Sequence, residues 1–135
     1  MRKWLLAALL AAVFITGCSH ADAGAVPSLK GQYRVIAVFA GNPQRAVDLS
    51  NAFKSSPGLE KRDIAWFVLG PSRITSNIDA VPDRATLEKL HTVDGFQAVL
   101  IGKDGKLEAS QLGGLNIQGL IDVIDQVPLR RRKMQ

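Results

Sequence analysis

The stretch YRVIAVFAGNP, from Tyr33 to Pro43, decides the fold that the sequence predicts. Its part from Val35 to Ala40 is continuously apolar and too short for a globular helix, which favours a strand buried on both faces. Asn42 and Pro43 follow directly and supply an N-cap and a proline at the first helical position. The sequence therefore predicts a buried strand that leads into a helix.

The helix that starts there is amphipathic, and a second strand follows it. Residues 55–58 (SSPG) form a turn cluster that ends the helix, and the apolar run from Ile64 to Leu69 comes soon after. The inward positions of the helix recur at i, i+3, i+4 and i+7: Ala46, Leu49, Ser50 and Phe53. A strand, helix, strand unit almost always makes a right-handed crossover, so the two strands are expected to lie parallel in one sheet.

The rest of the domain is predicted to add a helix, a strand, a hairpin and a closing helix. Asp104-Gly105 supplies the positive φ angles of a tight hairpin turn. The last helix is expected to end by Val127, because proline disfavours helical geometry in the residue before it. The predicted elements are a helix from Asp83 to His91, strands from Phe96 to Ile101 and Lys106 to Ala109, and a helix from Asn116. The fold class is α/β, in the order βαβαββα, with a mixed sheet flanked by helices.

The N-terminus has the pattern of an export signal. Two basic residues precede an apolar run of 12 residues from Trp4 to Ile15, which is shorter than the roughly 20 residues that span a bilayer. Ile15-Thr16-Gly17-Cys18 then resembles the bacterial lipobox, whose cysteine becomes the lipidated N-terminus of the mature protein. The alternative is an ordinary signal-peptidase site beside which Cys18 is one small residue. We expect cleavage before Cys18 and lipidation of its sulfur.

This resemblance implies a location in the cell envelope. A lipobox cysteine carries a diacylglyceryl group and usually a further acyl chain such as palmitate, and two or more chains make anchoring stable. Ser19 follows the cysteine, which favours the outer membrane, facing the periplasm, if the source is Gram-negative. The sequence is thus divided into a signal peptide (1–17), a lipidated tether (18–31), an α/β domain (32–130) and a basic tail (131–135).

The charge of the chain argues against nucleic-acid binding. Loss of Arg2 and Lys3 with the signal peptide lowers the formal net charge from +5 to +3, which is no nucleic-acid signature. Two interpretations of the basic C-terminus stay open: a solvated tail, or contact with anionic lipid or lipopolysaccharide headgroups. The residues in question are Arg130, Arg131, Arg132 and Lys133.

The predicted element order resembles the thioredoxin-like arrangement, and three motifs resemble one family with that fold. They are Arg62-Asp63, the segment LIGKDGxL at residues 100–107, and IDxxPxR at residues 124–130. The family is the peroxiredoxin-like, DUDES-type domain of unknown function, found in small bacterial envelope proteins and in vertebrate secreted sushi-repeat and matrix proteins. The resemblance implies a thioredoxin-like fold in an extracytoplasmic setting, without an established reaction.

Thiol chemistry is not expected from this sequence. Thioredoxin-type redox work needs a low-pKa thiolate near the first helix N-terminus, where this chain has GNPQR at residues 41–45. Cys18 is the only cysteine, and lipidation would occupy its sulfur. No histidine or cysteine spacing indicates a metal site, and no glycine motif indicates a nucleotide, so no cofactor is expected.

One candidate site remains, at the start of the first helix. Its backbone N–H groups and the charge of Arg45 can attract a small anion or a carboxylate of a partner, with Asn42 and Gln44 beside them. An ordinary capped helix start explains the same three residues. Two functions follow: a non-catalytic binding or scaffolding lipoprotein with an envelope protein partner, or an enzyme that uses the remnant cleft without thiols.

Overall fold

The computed structural model describes residues 26–134, which fold as an α/β domain. Its elements are strand β1 (Arg34–Phe39), helix α1 (Pro43–Lys54), a 3-10 turn (Glu60–Arg62), strands β2 (Ile64–Leu69) and β3 (Ile74–Ser76), helix α2 (Arg84–Glu88), strands β4 (Gln97–Ile101) and β5 (Leu107–Leu112), and helix α3 (Ile117–Met134).

Five strands form one mixed sheet in the order β3-β2-β1-β4-β5. β1 pairs in parallel with β2, as the crossover rule predicted, and every other pair is antiparallel. β1 lies in the middle of the sheet, and all its residues after Arg34 are buried, which explains its unbroken apolar sequence. The predicted α/β class with a mixed sheet is confirmed, and the arrangement is consistent with a thioredoxin-like fold.

Each face of the sheet carries its own hydrophobic core. On one face, α1 and α3 cover alternate strand residues, and Phe53 of α1 stacks on Trp66 of β2 with ring centroids 4.8 Å apart. On the other face, Leu87 of α2 packs with Val26 and Leu29 against the intervening strand residues. The two-residue period of the strands thus places successive side chains in different cores.

The N-terminal boundary differs from the predicted one. Val26 and Leu29 are buried although they lie before Gln32, where the domain was predicted to begin. Residues 26–33 form turns in which Leu29 and Lys30 donate to the carbonyl of Val26, and Gly31 donates to the carbonyl of Lys103. The packed domain therefore starts at least six residues earlier, because two apolar side chains in the predicted tether join the core.

The last helix also differs from its prediction. α3 continues through Pro128 to Met134, so the predicted end by Val127 was wrong, and residues 131–134 of the predicted tail are helical. Proline removes one helical N–H and restricts its preceding residue, but neither effect forbids a helix that continues beyond it.

A third difference is strand β3, which the sequence pattern did not predict. This three-residue edge strand pairs antiparallel with the end of β2, and Asn77 beyond it bonds the backbone of Ile64 and Trp66. The order is therefore βαββαββα.

The two ends of the sheet are named here by what lies at them. The entry pole is the end where β1 and β2 begin, at Arg34 and Ile64, and the cleft pole is the end where they finish, at Phe39 and Leu69. α1 runs from the cleft pole to the entry pole. So does α3, because Asn116 precedes it close to Gln111 at the end of β5, while Asp125 reaches Arg62 at the entry pole.

Candidate functional site

A cleft of about 420 Å³ opens at the cleft pole, beyond the carboxyl ends of the parallel strands β1 and β2. Open α/β sheets place ligand sites at this edge, because loops diverge there to opposite faces. The segment after β1 (residues 40–42), the one after β2 (70–71) and the one before β4 (95–96) form its walls. Its charged and aromatic lining residues are Arg45, Arg84, Glu88, His91, Phe39 and Phe96.

The predicted helix start lies in this cleft. Asn42 has extended backbone angles and its Oδ1 accepts a hydrogen bond of 2.8 Å from the backbone N–H of Arg45. Pro43 is the first helical residue, as predicted. Asn42 and Arg45 line the cleft together. Gln44 does not line it, because its amide donates to Asp48 on the exposed side of α1.

Arg45 connects three parts of the chain at the cleft. Its guanidinium carbon lies 4.1 Å from the centroid of the Phe96 ring, which is a cation–π contact. Its Nη2 donates a 2.6 Å hydrogen bond to the carbonyl of Gly113, in the loop that leads to α3. A guanidinium has five N–H donors, so a side chain held by one of these bonds keeps the chemistry to bind an acidic group.

Arg84 is the second arginine of the cleft and comes from the other face of the sheet. Its Nη2 donates to the carbonyl of Gly70 at 2.9 Å, and its Nη1 lies 3.4 Å from Glu88 Oε2 one helical turn away. The bond to Gly70 fixes the guanidinium against the loop after β2. The cleft is therefore flanked by two cations that separate helices supply.

His91 and its surroundings close the cleft on the β4 side. Its ring stacks on Phe39 with centroids 4.4 Å apart, and its Nε2 lies 2.8 Å from the carbonyl oxygen of Gly95. A carbonyl can only accept, so Nε2 carries the proton in this contact. Glu88 and His91, the groups suited to proton transfer, are thus each engaged by a neighbouring group.

The loop before β4 is held by a buried glutamine. Gln97 is 2% exposed, and its Oε1 accepts from the backbone N–H of Thr92 at 2.8 Å. Its Nε2 donates to the hydroxyls of Thr92 and Ser110 at 3.0 and 3.1 Å. The side chain therefore fixes the segment from Thr92 to Phe96, which precedes β4.

The three motifs that carried the family resemblance meet at the opposite, entry pole. Arg62 pairs with Asp125 of α3, and Lys103 Nζ donates to Asp63 Oδ2 at 2.8 Å. The hydrogen bond from Arg62 holds the pKa of Asp125 below its ordinary range, and the bond from Lys103 does the same to the pKa of Asp63. Both pairs are open to solvent and join separate elements, so they tie the elements together.

Several predicted site residues are placed apart from the cleft or outside the described residues. Cys18, the predicted lipidation site, precedes residue 26. Residues 130–133 lie near the end of α3, on the side of the entry pole. Within residues 26–134 no cluster of three metal-ligating side chains occurs. None of the helices in that same range is long and apolar enough to cross a membrane.

Sequence reasoning found Asn42 and Arg45 but missed Arg84, His91 and Phe96. Their positions depend on how the second half of the chain packs beside the end of β1. The spacing of residues in the sequence does not predict that packing. No local sequence pattern predicts the contact between the Arg45 guanidinium and the Phe96 ring either, because 51 positions separate the two residues.

Comparison with known proteins adds a family but no activity. The model of a domain of unknown function, DUF4174, matches residues 26–133, which begins at the first core residue, Val26, and covers the whole sheet. No curated protein and no solved structure matches the chain. The chain belongs to the DUF4174 family.

Proposed function

We propose that this protein is a lipid-anchored envelope protein whose DUF4174 domain binds an acidic group, such as a carboxylate of a partner protein or a small anion, without thiol chemistry. The observation that carries the binding role is the pair of arginines at one cleft. Arg45 from α1 and Arg84 from α2 both line it, and each is held by a backbone carbonyl.

A pair of fixed guanidinium groups suits recognition of planar acidic groups. A guanidinium can present parallel N–H donors to two oxygens, and the holding contacts reduce the side-chain freedom that binding would cost. At Arg84 an incoming acid would displace Glu88, which lies 3.4 Å from Nη1. The N-terminus of α1 adds a positive dipole end beside Arg45. Binding is favoured over catalysis because Glu88 pairs with Arg84 and His91 bonds Gly95.

The anchoring part of the proposal rests on sequence. The apolar run from Trp4 to Ile15 and the lipobox-like segment at residues 15–18 support export and lipidation at Cys18. Ser19 favours the outer membrane in a Gram-negative source. The same cysteine supports the absence of thiol chemistry, because no other thiol exists in the 135 residues.

The relationship to a wider family is part of the proposal too. The Arg62-Asp63, Lys103-Asp104-Gly105 and Ile124-Asp125 motifs support kinship with the DUDES-type domains of secreted sushi-repeat proteins. Arg62, Asp63, Lys103 and Asp125 come together in exposed ion pairs at the entry pole. A shared structural tie of this kind explains similar motifs without a shared reaction.

Binding is tested with the mature protein in detergent, using citrate and a tetraglutamate peptide as probes in calorimetry and two-dimensional NMR. We expect shifts at Arg45, Phe96 and Gly113, and at least a tenfold loss of affinity for Arg45→Met and for Arg84→Gln, in line with the loss of one charged hydrogen bond of about 1.5–3 kcal/mol. Arg73→Gln removes an exposed arginine outside the cleft and should bind as the wild type does. Probe binding that survives both cleft variants would refute the proposal.

Anchoring is tested by metabolic labelling with an alkynyl fatty acid. The wild type should be labelled and cleaved, whereas Cys18→Ala should remain an unlabelled precursor. Label on the Cys18→Ala variant would contradict anchoring through this residue.

A further inference from the structure

We infer that the entry pole is a docking surface for an anionic membrane, so that the anchored domain stands on this pole with its cleft turned away from the bilayer. This deepens the proposed function, because it rests on lipidation at Cys18 and adds which surface meets the lipid. Three observations lead to it: where the chain enters the domain, where α3 leads, and how charge is distributed.

The chain enters the domain at this pole. Gly31 bonds the carbonyl of Lys103 in the β4–β5 hairpin, and Arg34 then begins β1 beside Ile64. Val26 lies only eight positions after Cys18, and eight residues span at most about 29 Å even when fully extended. A lipid on Cys18 would therefore keep this side of the domain next to the bilayer surface.

Helix α3 leads to the same pole. Asp125 contacts Arg62 there, and nine further helical residues follow to Met134. At 1.5 Å per residue they extend the helix by about 13 Å beyond that contact. The consecutive basic residues at positions 130–133 lie on this extension, so the C-terminal charges and the N-terminal anchor belong to one side of the molecule.

The body of the domain is weakly positive on this side. Arg62 and Lys103 are paired with Asp125 and Asp63, which balances those four charges. Around them lie Arg34 and four exposed lysines, against four acidic residues: Glu60, Asp104, Glu108 beside Gly102 of the hairpin, and Asp122 close to Arg62 on α3. The lysines come from the N-terminal turn, the end of α1, the 3-10 turn and the hairpin: Lys30, Lys54, Lys61 and Lys106.

A surface of this kind suits the headgroups of an anionic membrane better than it suits a ligand that is held in a pocket. Its charges lie on separate turns and along a helix end, and Lys54 is the one lysine of the four that lines any of the three cavities described within residues 26–134. Basic residues near an anionic bilayer contribute additively and are screened within about 10 Å at 0.1 M salt. Two attachments, a stable lipid anchor on a flexible tether and a weaker basic surface, then fix an orientation that the anchor alone does not.

The test places a fluorophore at either pole of the lipidated mature protein and measures quenching by an acceptor lipid. Ser55→Cys, at the end of α1, carries the dye at the entry pole, and Ser72→Cys, after β2, carries it at the cleft pole; both serines are exposed. On phosphatidylcholine vesicles with about 30% phosphatidylglycerol, we expect stronger quenching at position 55 than at position 72. The difference should shrink in 0.5 M salt and on pure phosphatidylcholine.

Two double variants, each of which removes two positive charges, test which basic residues orient the domain on the membrane. R131Q/R132Q removes two charges from the α3 extension and should reduce the salt-sensitive difference. R73Q/K89Q removes two exposed charges near the cleft and should leave it unchanged. Equal quenching at the two positions, or a difference that R131Q/R132Q does not alter, would overturn the inference.

The experiment distinguishes a failure of the docking surface from a failure of the lipid anchor. Acylated protein that floats with vesicles but shows no preferred pole retains the anchor and refutes the docking surface. If the protein proves to be unacylated, the anchor is refuted, and the full chain should still co-sediment with phosphatidylglycerol vesicles more than tenfold better than R131Q/R132Q does. Equal sedimentation of the two in that experiment would refute the docking surface as well.

Discussion

Arg62 holds Asp125 through two parallel hydrogen bonds, Nε to Oδ1 at 2.8 Å and Nη2 to Oδ2 at 2.9 Å, across 63 positions of sequence. The remaining Nη1 donates to the carbonyl of Gly58 in the turn after α1. One planar guanidinium therefore connects α1, β2 and α3 at the entry pole. Only arginine offers this fork, because lysine presents a single ammonium group.

Arg62→Lys should therefore lower stability although it keeps the charge. The ammonium cannot reach both carboxylate oxygens and the Gly58 carbonyl together, so the melting temperature should fall slightly while the far-UV spectrum stays unchanged. Denaturant unfolding of R62K, D125N and the double variant measures the coupling. Strictly additive losses would mean that the two side chains do not stabilise the fold through each other.

The exposed ion pairs at the entry pole should give the stability a specific acid dependence. Hydrogen bonds from Lys103 and Arg62 lower the folded-state pKa of Asp63 and Asp125. A lowered folded-state pKa contributes stability that is complete above the unfolded value of about 3.9 and is lost as pH falls through the folded-state pKa.

The difference in melting temperature between the wild type and D63N/D125N should accordingly be constant from about pH 7 to pH 5 and shrink below about pH 4. Salt at 1 M should reduce it at neutral pH, because both pairs are exposed. A difference that grows as the solution becomes more acidic would contradict the lowered pKa values.

Gln97→Met should destabilise the loop before β4. The substitution replaces the amide by an apolar side chain of similar length and leaves the Thr92 N–H without the acceptor shown at 2.8 Å, at a cost of about 1–3 kcal/mol. Denaturant unfolding measures the loss, and faster amide exchange at Thr92 would localise it. Ser110→Ala, which removes one of the three bonds, is the control and should cost less. Equal losses in the two variants would argue against a special role for the Thr92 contact.

The Phe53–Trp66 stack offers a fluorescence test of the α1 core. Phe53 is 1% exposed and Trp66 is 4% exposed. Phe53→Ala should cost about 3–5 kcal/mol and shift the emission of Trp66 to longer wavelength as water reaches the ring. The other tryptophan, Trp4, lies in the predicted signal peptide, so the mature protein reports Trp66 alone. Phe53→Leu should shift the emission less, and an unshifted spectrum for Phe53→Ala would contradict the stack.

Asn42→Ala should lower stability by about 1 kcal/mol through the loss of the helix cap. The side chain accepts from the N–H of Arg45, and alanine offers no acceptor. Asn42→Ser keeps a capping oxygen and should remain within a few tenths of a kcal/mol of the wild type. Thermal unfolding of both variants distinguishes this capping role from any effect on ligand binding.

The central part of the fold could be predicted because local and long-range signals agree there. β1, α1 and β2 follow from one apolar run, one capped helix start and a second apolar run, and the crossover rule joins them. Prediction failed where a tertiary contact overrides a weak local signal. Val26 and Leu29 stand among glycine and proline residues, and the three residues of β3 are too few to show a period.

Only part of the candidate site could be predicted from the sequence, for a related reason. Asn42 and Arg45 lie on one helix start, whose chemistry is visible in four residues. Arg84 and His91 reach the same cleft through the pairing of β4 with β1, which is a property of the sheet. Pro128 shows the opposite error: a local rule was applied as absolute, although α3 continues past it.

The positions at which the domain begins and ends have a practical consequence for experiments. The chain enters the domain at the entry pole and α3 leads to the same pole, so a reporter protein or an affinity tag after Gln135 would project away from the cleft. Surfaces coated with the protein through that terminus would present the arginine cleft to solution. The same attachment would occupy the side that we assign to the bilayer, so ligand capture and vesicle binding call for differently tagged proteins.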